Sequence, residues 1–156
     1  MTEKTINTRV REYAYDELDA EDRQLVEIAR EATRGSYAPY SHFHVGVALL
    51  LDNGQIIKGA NQENAAFGAG TCGERSALYN AAANYPDNAV IKLAVTAFHN
   101  GDIVPEPCAP CGVCRQAMIE FETKSHKPMK VLLVGRDRVL ALDSCHDLLP
   151  LAFDEF

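Results

Sequence analysis

Two short segments of the sequence, residues 71–75 and 110–116, place reactive side chains at probable helix starts. Cys111 and Cys114 stand three residues apart, so on a helix both thiols lie on one face, within reach of a single metal ion. Cys72, in the earlier segment, is the candidate for a third ligand. Three protein ligands leave a fourth position for water, which is typical of catalytic zinc sites. A fold that serves this chemistry must bring the two helix starts together.

Glu74 is the carboxylate that accompanies these thiols, two residues after Cys72. That spacing is too far round a helix for easy coordination, yet near enough for proton exchange with water at the metal. Cysteine binds zinc as thiolate, and a helix N-terminus lowers the pKa of a thiol through its unpaired N–H groups and positive potential. We therefore predict a catalytic zinc centre with Glu74 as the proton shuttle.

Three helices are predicted from caps, apolar spacing and stop residues. The first covers residues 19–35, the second residues 71–86 and the third about residues 111–122. A last helical turn is expected within residues 143–149. Residues 1–18 mix polar and aromatic side chains, and they are interpreted as an N-terminal arm that is ordered or forms an edge strand.

Five β-strands are predicted from apolar and β-branched runs, with a strong hairpin turn between the first two. They cover residues 43–51, 55–60, 90–98, 130–134 and 139–142. The order α, β-hairpin, α, β, α, β, β predicts an α/β fold in which a mixed five-stranded sheet lies between helical layers, a three-layer α/β/α architecture. We expect residues 19–156 to form one catalytic domain, because a chain of 156 residues fits one core.

The charge of the chain narrows its possible partners. The formal net charge is −7 at pH 7, and lysine and arginine form no basic stripe, so a nucleic acid partner is disfavoured. No apolar run reaches the length of a membrane span and no secretory pattern opens the chain, so we expect no membrane partner and a cytoplasmic location. In a reducing compartment the five cysteines are ligands, reactive thiols or small core residues rather than disulfides.

The motifs C-x-E-R and P-C-x-x-C-R-Q resemble those of the zinc-dependent cytidine deaminases. Cys72 stands where other members carry histidine, which is similar to the small, three-cysteine, homotetrameric branch; the resemblance runs from about residue 37 to 153. It implies hydrolytic deamination of cytidine and 2′-deoxycytidine to uridine and 2′-deoxyuridine plus ammonia, as in pyrimidine salvage, with one Zn²⁺ per subunit. It also implies that Arg75 hydrogen-bonds the ligand sulfurs and compensates their charge.

The resemblance assigns substrate contacts to five further residues. Asn61 and Glu63 match the N-x-E pair that holds sugar hydroxyls, and they directly follow a predicted strand, at a sheet rim where ligands of α/β folds bind. Phe43 matches the aromatic residue that lines the base pocket, and Gly73 occupies a position with a backbone contact. Phe153 matches a tail phenylalanine that reaches the base site of a neighbouring subunit. The implied assembly is a homotetramer whose nucleoside pockets are completed by neighbours.

The sequence departs from the family pattern in several places. Gly73 replaces the usual alanine, Phe67 stands where many members have tyrosine, and His44 stands where proline or lysine is common. The gap between Cys72 and Cys111 is several residues longer than usual, and the extra length falls within residues 99–107. The effects of Gly73 and Phe67 on substrate preference stay open.

Alternative functions are also open at this point. Cys108 could complete a closed four-cysteine structural zinc site, which would make the chain a binding module but leave Glu74 and the N-x-E pair unexplained. Cys145 is interpreted as a small hydrophobe. The blasticidin S deaminases share the zinc motifs but lack the N-x-E pair, whereas guanine and tRNA adenosine deaminases use histidine as the first ligand. The sequence does not decide between cytidine and deoxycytidine as the preferred substrate.

Overall fold

The computed structural model describes residues 1–154, so the last two residues of the expected domain 19–156 lie outside the described residues. The helices are α1 (Ala20–Ala32), α2 (Gly73–Asn84) and α3 (Gly112–Ser125). The strands are β1 (Arg11–Ala14), β2 (His44–Leu51), β3 (Ile56–Ala60), β4 (Val90–His99), β5 (Asp102–Ile103), β6 (Lys130–Val134) and β7 (Arg138–Leu142). Short 3-10 turns cover Tyr15–Glu17, Thr33–Gly35, Phe67–Ala69 and Cys145–Leu148.

These strands form one mixed sheet in the order β1-β7-β6-β4-β2-β3, and β5 pairs with β4. The β4–β6 pair is parallel and the other pairs are antiparallel. Helix α1 packs on one face, while α2 and α3 pack on the other. The predicted α/β class and three-layer arrangement are therefore confirmed.

The strand count in the prediction was wrong, because within residues 1–154 the sheet has seven strands instead of five. Strand β1 has no apolar run of its own and forms by extending the edge at β7, where Arg138 also pairs with Glu12 at 2.9 Å. Strand β5 is two residues long and follows a tight turn in which Asn100 and Gly101 have φ values of 54° and 87°. Positive φ at both central residues suits a hairpin turn, and β5 lies in the segment 99–107 that carries the extra length.

Alternation along β2 supplies both halves of the core. Val47 and Leu49 face α2 and α3, whereas Ala48 and Leu50 face α1. A β-strand directs successive side chains to opposite faces, so an apolar run serves both layers at once. Strand β2 lies between β3, the edge strand, and β4.

Glycine permits the helix α2 to lie unusually close to β3. A Cβ at Gly59 would come within 2.6 Å of the Ala77 Cβ, the Ala77 backbone nitrogen and the Gly73 carbonyl oxygen. Only a residue without a side chain allows this approach. The contact holds the first turns of α2 against the sheet, and these turns carry the predicted catalytic residues.

The helix starts agree with the sequence pattern. Asp19 caps α1 by accepting a hydrogen bond from the Asp22 backbone nitrogen, and Cys72 and Cys111 occupy the cap positions of α2 and α3. Helix α3 continues to Ser125, three residues beyond the predicted end at 122, and stops at His126, whose φ of 54° lies in the left-handed region. None of the helices in residues 1–154 combines the length and apolar character that crossing a membrane requires.

Candidate metal centre and active site

Three thiols meet where the two helices begin. Cys72 caps α2, Cys111 caps α3 and Cys114 lies in the first turn of α3. Their Sγ atoms all lie within 4.8 Å of one another, and the Cys72 and Cys111 sulfurs are 4.0 Å apart. Sulfurs that hold one Zn²⁺ tetrahedrally at about 2.3 Å are roughly 3.8 Å apart. The donor type, number and spacing therefore fit a zinc ion with a fourth position left for another ligand.

The surroundings of Cys72 favour the thiolate form that zinc binds. Hydrogen bonds from Cys114 and Arg75 lower the pKa of Cys72 to about 5, although partial burial acts in the opposite direction. The hydrogen bond to Cys72, followed by burial, raises the pKa of Cys114, so this pair gives up its first proton from Cys72. Arg75 Nη2 lies 3.8 Å from the Cys72 sulfur, as expected for a cation that compensates ligand charge.

Glu74 lies in the first turn of α2 and is 4% exposed. Burial raises the pKa of its carboxyl group, and the neighbouring Cys72 charge acts in the same direction. A carboxyl group with a raised pKa holds an accepted proton more readily, so it can take a proton and later return it. Its position beside three metal-binding thiols is the arrangement that hydrolysis by an activated water requires.

A cavity of about 450 Å³ opens over this group of side chains. Its lining includes the sequence-predicted residues Phe43, Asn61, Glu63, Cys72, Glu74 and Cys111. The volume lies in the range of small-molecule sites, and a few polar groups converge on a largely apolar wall. The cavity is therefore large enough for a nucleoside.

Asn61 and Glu63 are held by segment 36–43. The Asn61 Oδ1 accepts hydrogen bonds from Ser36 Oγ at 2.6 Å and from the Val45 backbone nitrogen at 2.8 Å. The Glu63 carboxylate accepts from the backbone nitrogens of residues 40 and 41, and hydrogen bonds from the Ser41 side chain and these N–H groups lower its pKa. Glu63 is therefore a carboxylate at neutral pH, as an acceptor for a hydroxyl group should be.

Besides Cys114, which is buried in the first turn of α3, two predicted site residues lie outside the cavity lining. Gly73 lies beneath it, where an added Cβ would come 3.1 Å from the Val45 Cγ1 and 3.4 Å from the Asn61 nitrogen. Phe153 is 72% exposed, and its backbone exchanges hydrogen bonds with the Gln116 side chain. Phe153 is not among the residues that line the cavity beside Glu74 of the same subunit.

Cys108 does not belong to the thiol cluster. Among residues 1–154, the cluster of ligand atoms within 4.8 Å of one another comprises Cys72, Cys111 and Cys114. Burial, and then the charge of Glu74, raises the pKa of the Cys108 thiol to about 11. Its position outside the cluster argues against a closed four-cysteine site. Cys145 lies in the core, as expected, and its thiol donates to Glu122 Oε2.

Sequence reasoning missed Ser36 and the backbone of residues 40 and 41 as supports for the polar pair. Ser36 is 25 positions from Asn61 in the chain, and residues 40 and 41 are 23 and 22 positions from Glu63. The bridge between Tyr37 and Gln62 and the hydrogen bonds around it bring the segments together. The one available signal was the polar segment directly before β2. Arg115 donates to the carbonyl oxygens of Pro110 and Leu148.

Comparison with known proteins gives an independent result. Residues 19–128 match the family model described as the cytidine and deoxycytidylate deaminase zinc-binding region. The chain belongs to this deaminase family. The match spans the cysteine cluster, Glu74, Asn61 and Glu63, so zinc is the metal that the three thiols bind.

Several cytidine deaminases resemble this family member along most of its length. The enzyme of Halalkalibacterium halodurans is 45% identical over 101 residues, which cover 64% of this chain and 72% of that protein. The enzyme of Sporosarcina psychrophila is 36% identical over 132 residues, with coverage of 85% and 90%. The crystal structure of cytidine deaminase from Burkholderia pseudomallei has a TM-score of 0.69 and 39% identity, covering 87% of this chain and 100% of that one.

Two residues that depart from the deaminase pattern, Phe67 and Gly73, lie at or beneath the cavity wall. Phe67 is 89% exposed and lines the cavity, so the missing tyrosine hydroxyl is a change at the cavity wall rather than in the core. At Gly73, the usual alanine would contact Val45 more tightly than ordinary packing allows, whereas glycine leaves that space free. Phe67 therefore affects the cavity wall directly, whereas Gly73 affects the packing beneath it.

Proposed function

We propose that this member of the family is a cytidine deaminase, which hydrolyses cytidine and 2′-deoxycytidine to uridine and 2′-deoxyuridine plus ammonia. One observation carries the proposal: buried Glu74 and three clustered thiols lie in the same cavity as Asn61 and Glu63. The cavity therefore contains both the groups that a hydrolytic reaction needs and hydrogen-bond donors and acceptors for a sugar. The curated relatives named cytidine deaminase support the same substrate class.

The chain's own residues would divide the work as follows. Phe43 lines the cavity beside the base, while Asn61 and Glu63 bind sugar hydroxyls and set the depth of the nucleoside. Cys72, Cys111 and Cys114 hold the metal, and Arg75 compensates their charge. When bound, zinc supplies Lewis-acid chemistry that makes a water acidic near neutral pH.

Glu74 would move the protons. Its carboxylate accepts a proton from the water, whose oxygen forms a new bond to the amine-bearing ring carbon. Glu74 then gives this proton to the ring nitrogen next to that carbon. Glu74 then takes the remaining hydroxyl proton and delivers it to the amine, which leaves as ammonia as the carbonyl forms. Burial supports this exchange because the raised pKa of Glu74 lets one group act as base and then as acid.

Substrate turnover tests this function. Purified protein should cause the ultraviolet absorbance of cytidine to fall, and that of deoxycytidine should fall in the same way. Cytosine, which lacks the sugar, should react much more slowly. Blasticidin S is the matched competitor for the alternative deaminase class. Turnover of blasticidin S without turnover of either nucleoside would refute the assignment.

The proposed assembly is a homotetramer in which Phe153 of one subunit contacts the base in another. Two features support it: Phe153 is 72% exposed, and the preceding Leu151 is 84% exposed, so apolar side chains lie at the surface of the tail. Sedimentation should give a tetramer. Mixed tetramers of Glu74→Gln and Phe153→Ala subunits should recover turnover, because some pockets then carry neither change; no recovery in confirmed mixed tetramers refutes the shared pocket.

The remaining assignments concern the domain boundaries of the chain and its cellular compartment. We assign residues 19–156 to one catalytic domain and residues 1–18 to an arm whose β1 joins the edge of the sheet. A cytoplasmic role in pyrimidine salvage is supported by the need for reduced thiols at the metal and by five free cysteines in the described chain.

A further inference from the structure

The side-chain amide of Asn61 has almost all of its hydrogen-bonding capacity used within the protein. Its Oδ1 accepts from Ser36 Oγ and from the Val45 backbone nitrogen, and its Nδ2 donates to the Phe43 carbonyl oxygen at 2.9 Å. An amide side chain has two acceptor sites and two donor hydrogens. One N–H of Asn61 therefore remains available to a ligand in the cavity.

The direction of each hydrogen bond follows from this arrangement. Because Asn61 Oδ1 can only accept, the Ser36 hydroxyl must donate its hydrogen to it. The Ser36 oxygen is then an acceptor, and His44 Nδ1 lies 3.2 Å away, so His44 donates from Nδ1. The result is a chain of hydrogen bonds in which His44 donates to Ser36 and Ser36 donates to Asn61.

The backbone around Ser36 is docked independently of its hydroxyl. The Tyr37 nitrogen donates to the Asn61 carbonyl oxygen at 3.0 Å, and the Glu63 nitrogen donates to the Tyr37 carbonyl oxygen at 2.8 Å. The Gln62 side chain also donates to the Gly35 carbonyl oxygen at 2.9 Å. Removing the Ser36 hydroxyl should therefore leave these segments in contact and release only the amide of Asn61.

We infer that Ser36 and His44 are positioning residues that hold the Asn61 amide so that its remaining N–H meets a sugar oxygen of the nucleoside. Neither residue lines the cavity next to Glu74, and both act through Asn61. This inference rests on the proposed function, because it presumes a nucleoside ligand.

The kinetic test compares Ser36→Ala with Ser36→Thr, which keeps the hydroxyl, and with Ser125→Ala, which removes a hydroxyl on α3 away from the cavity. Loss of one neutral hydrogen bond corresponds to about threefold to tenfold in affinity. The KM for cytidine should rise by that factor in Ser36→Ala, while kcat and zinc content stay near wild type. Ser36→Thr should restore the KM, and Ser125→Ala should not alter it.

A second substrate separates positioning from general damage. With 2′,3′-dideoxycytidine, which lacks both ring hydroxyls, Ser36→Ala should have the same kcat/KM as wild type. His44→Leu should raise the cytidine KM in the same direction, and His44→Asn, which places a donor near the Nδ1 position, should reverse most of that rise. Equal losses on cytidine and dideoxycytidine, or an unchanged cytidine KM in Ser36→Ala, overturn the inference.

A measurement that needs no turnover tests the hydrogen-bond chain itself. In isotope-labelled protein, exchange of the Asn61 side-chain amide protons with water should be faster in Ser36→Ala than in wild type, and unchanged in Ser125→Ala. Equal exchange in wild type and Ser36→Ala overturns the positioning role. If wild-type protein fails to turn over cytidine, the proposed function fails, whereas amide exchange still decides the role of Ser36.

Discussion

Substitution of Gly59 by alanine tests whether close packing of α2 on β3 holds the catalytic helix in place. The added Cβ would lie 2.6 Å from three atoms of α2, and two of them are backbone atoms that no side-chain rotation can move. Ordinary carbon contacts are about 3.5 Å, so the start of α2 must shift by roughly 1 Å. That turn carries Glu74 and follows the metal ligand Cys72, so the displacement reaches the active site directly.

The expected magnitude has two parts. Overpacking of this kind costs typically 1–3 kcal/mol of unfolding free energy, and each kcal/mol lowers the Tm of a chain of this size by about 2–4 °C. A misplacement of about 1 Å at a catalytic group costs on the order of 100-fold in rate. Gly59→Ala should therefore lose more activity than its modest loss of stability implies. Both variants should be measured at the same zinc and protein concentrations, because a bound metal adds to the measured stability and any association of subunits would do so too.

Gly68→Ala is the matched control, because an added Cβ there meets no atom within 4 Å. Its stability should stay within about 0.5 kcal/mol of wild type. Thermal unfolding, zinc content and cytidine turnover should be measured for both variants. If Gly59→Ala shows wild-type Tm and turnover, close helix packing does not position Glu74 and the reasoning is refuted.

Three further predictions concern single side chains. Glu74→Gln should keep zinc and fold while turnover falls by at least 100-fold, because shape is preserved and the proton acceptor is lost; near wild-type turnover in zinc-loaded protein would contradict the shuttle role. Cys108→Ser should leave zinc stoichiometry and activity unchanged, and loss of the metal would restore the four-cysteine interpretation. Glu122, although partly buried, has a lowered pKa because it accepts hydrogen bonds from Ser144 and Cys145. Since its folded pKa lies below the unfolded value of about 4.3, its contribution is present above that pH and lost as pH falls through the folded pKa. The Tm difference between wild type and Glu122→Gln should accordingly shrink below about pH 4, and a constant difference from pH 7 to pH 3 would count against this linkage.

Local signals in the sequence were sufficient for most of the secondary structure. Asp19 was predicted to cap the first helix because its side chain suits that position, and the structure shows the hydrogen bond. The turn at 52–54 and its flanking strands were predicted for the same kind of reason, since glycine allows the positive φ of 83° at Gly54. Such features depend on residues close in sequence.

Elements that depend on distant partners were less accessible. Strand β1 forms because β7 offers an unpaired edge, and β5 forms because β4 continues beyond the last residue that pairs with β6. Neither has an apolar run long enough to predict a strand. Helix α3 continues past 122 and ends at His126, which adopts the left-handed conformation. That helix end was hard to predict, because glycine or asparagine is the usual residue there.

The sequence by itself determined the chemistry available to this protein: thiols at two helix starts, a carboxylate two residues after one of them, and an asparagine and a glutamate after a strand. Residue type and local spacing set these properties, because capping and side-chain donors act over a few positions. Only the tertiary structure decided that the three sulfurs lie within 4.8 Å, that Cys108 stays outside their cluster and that Ser36 orients Asn61. Those distances arise from sheet pairing and from helices packed on its face, where contacts join residues far apart in the chain.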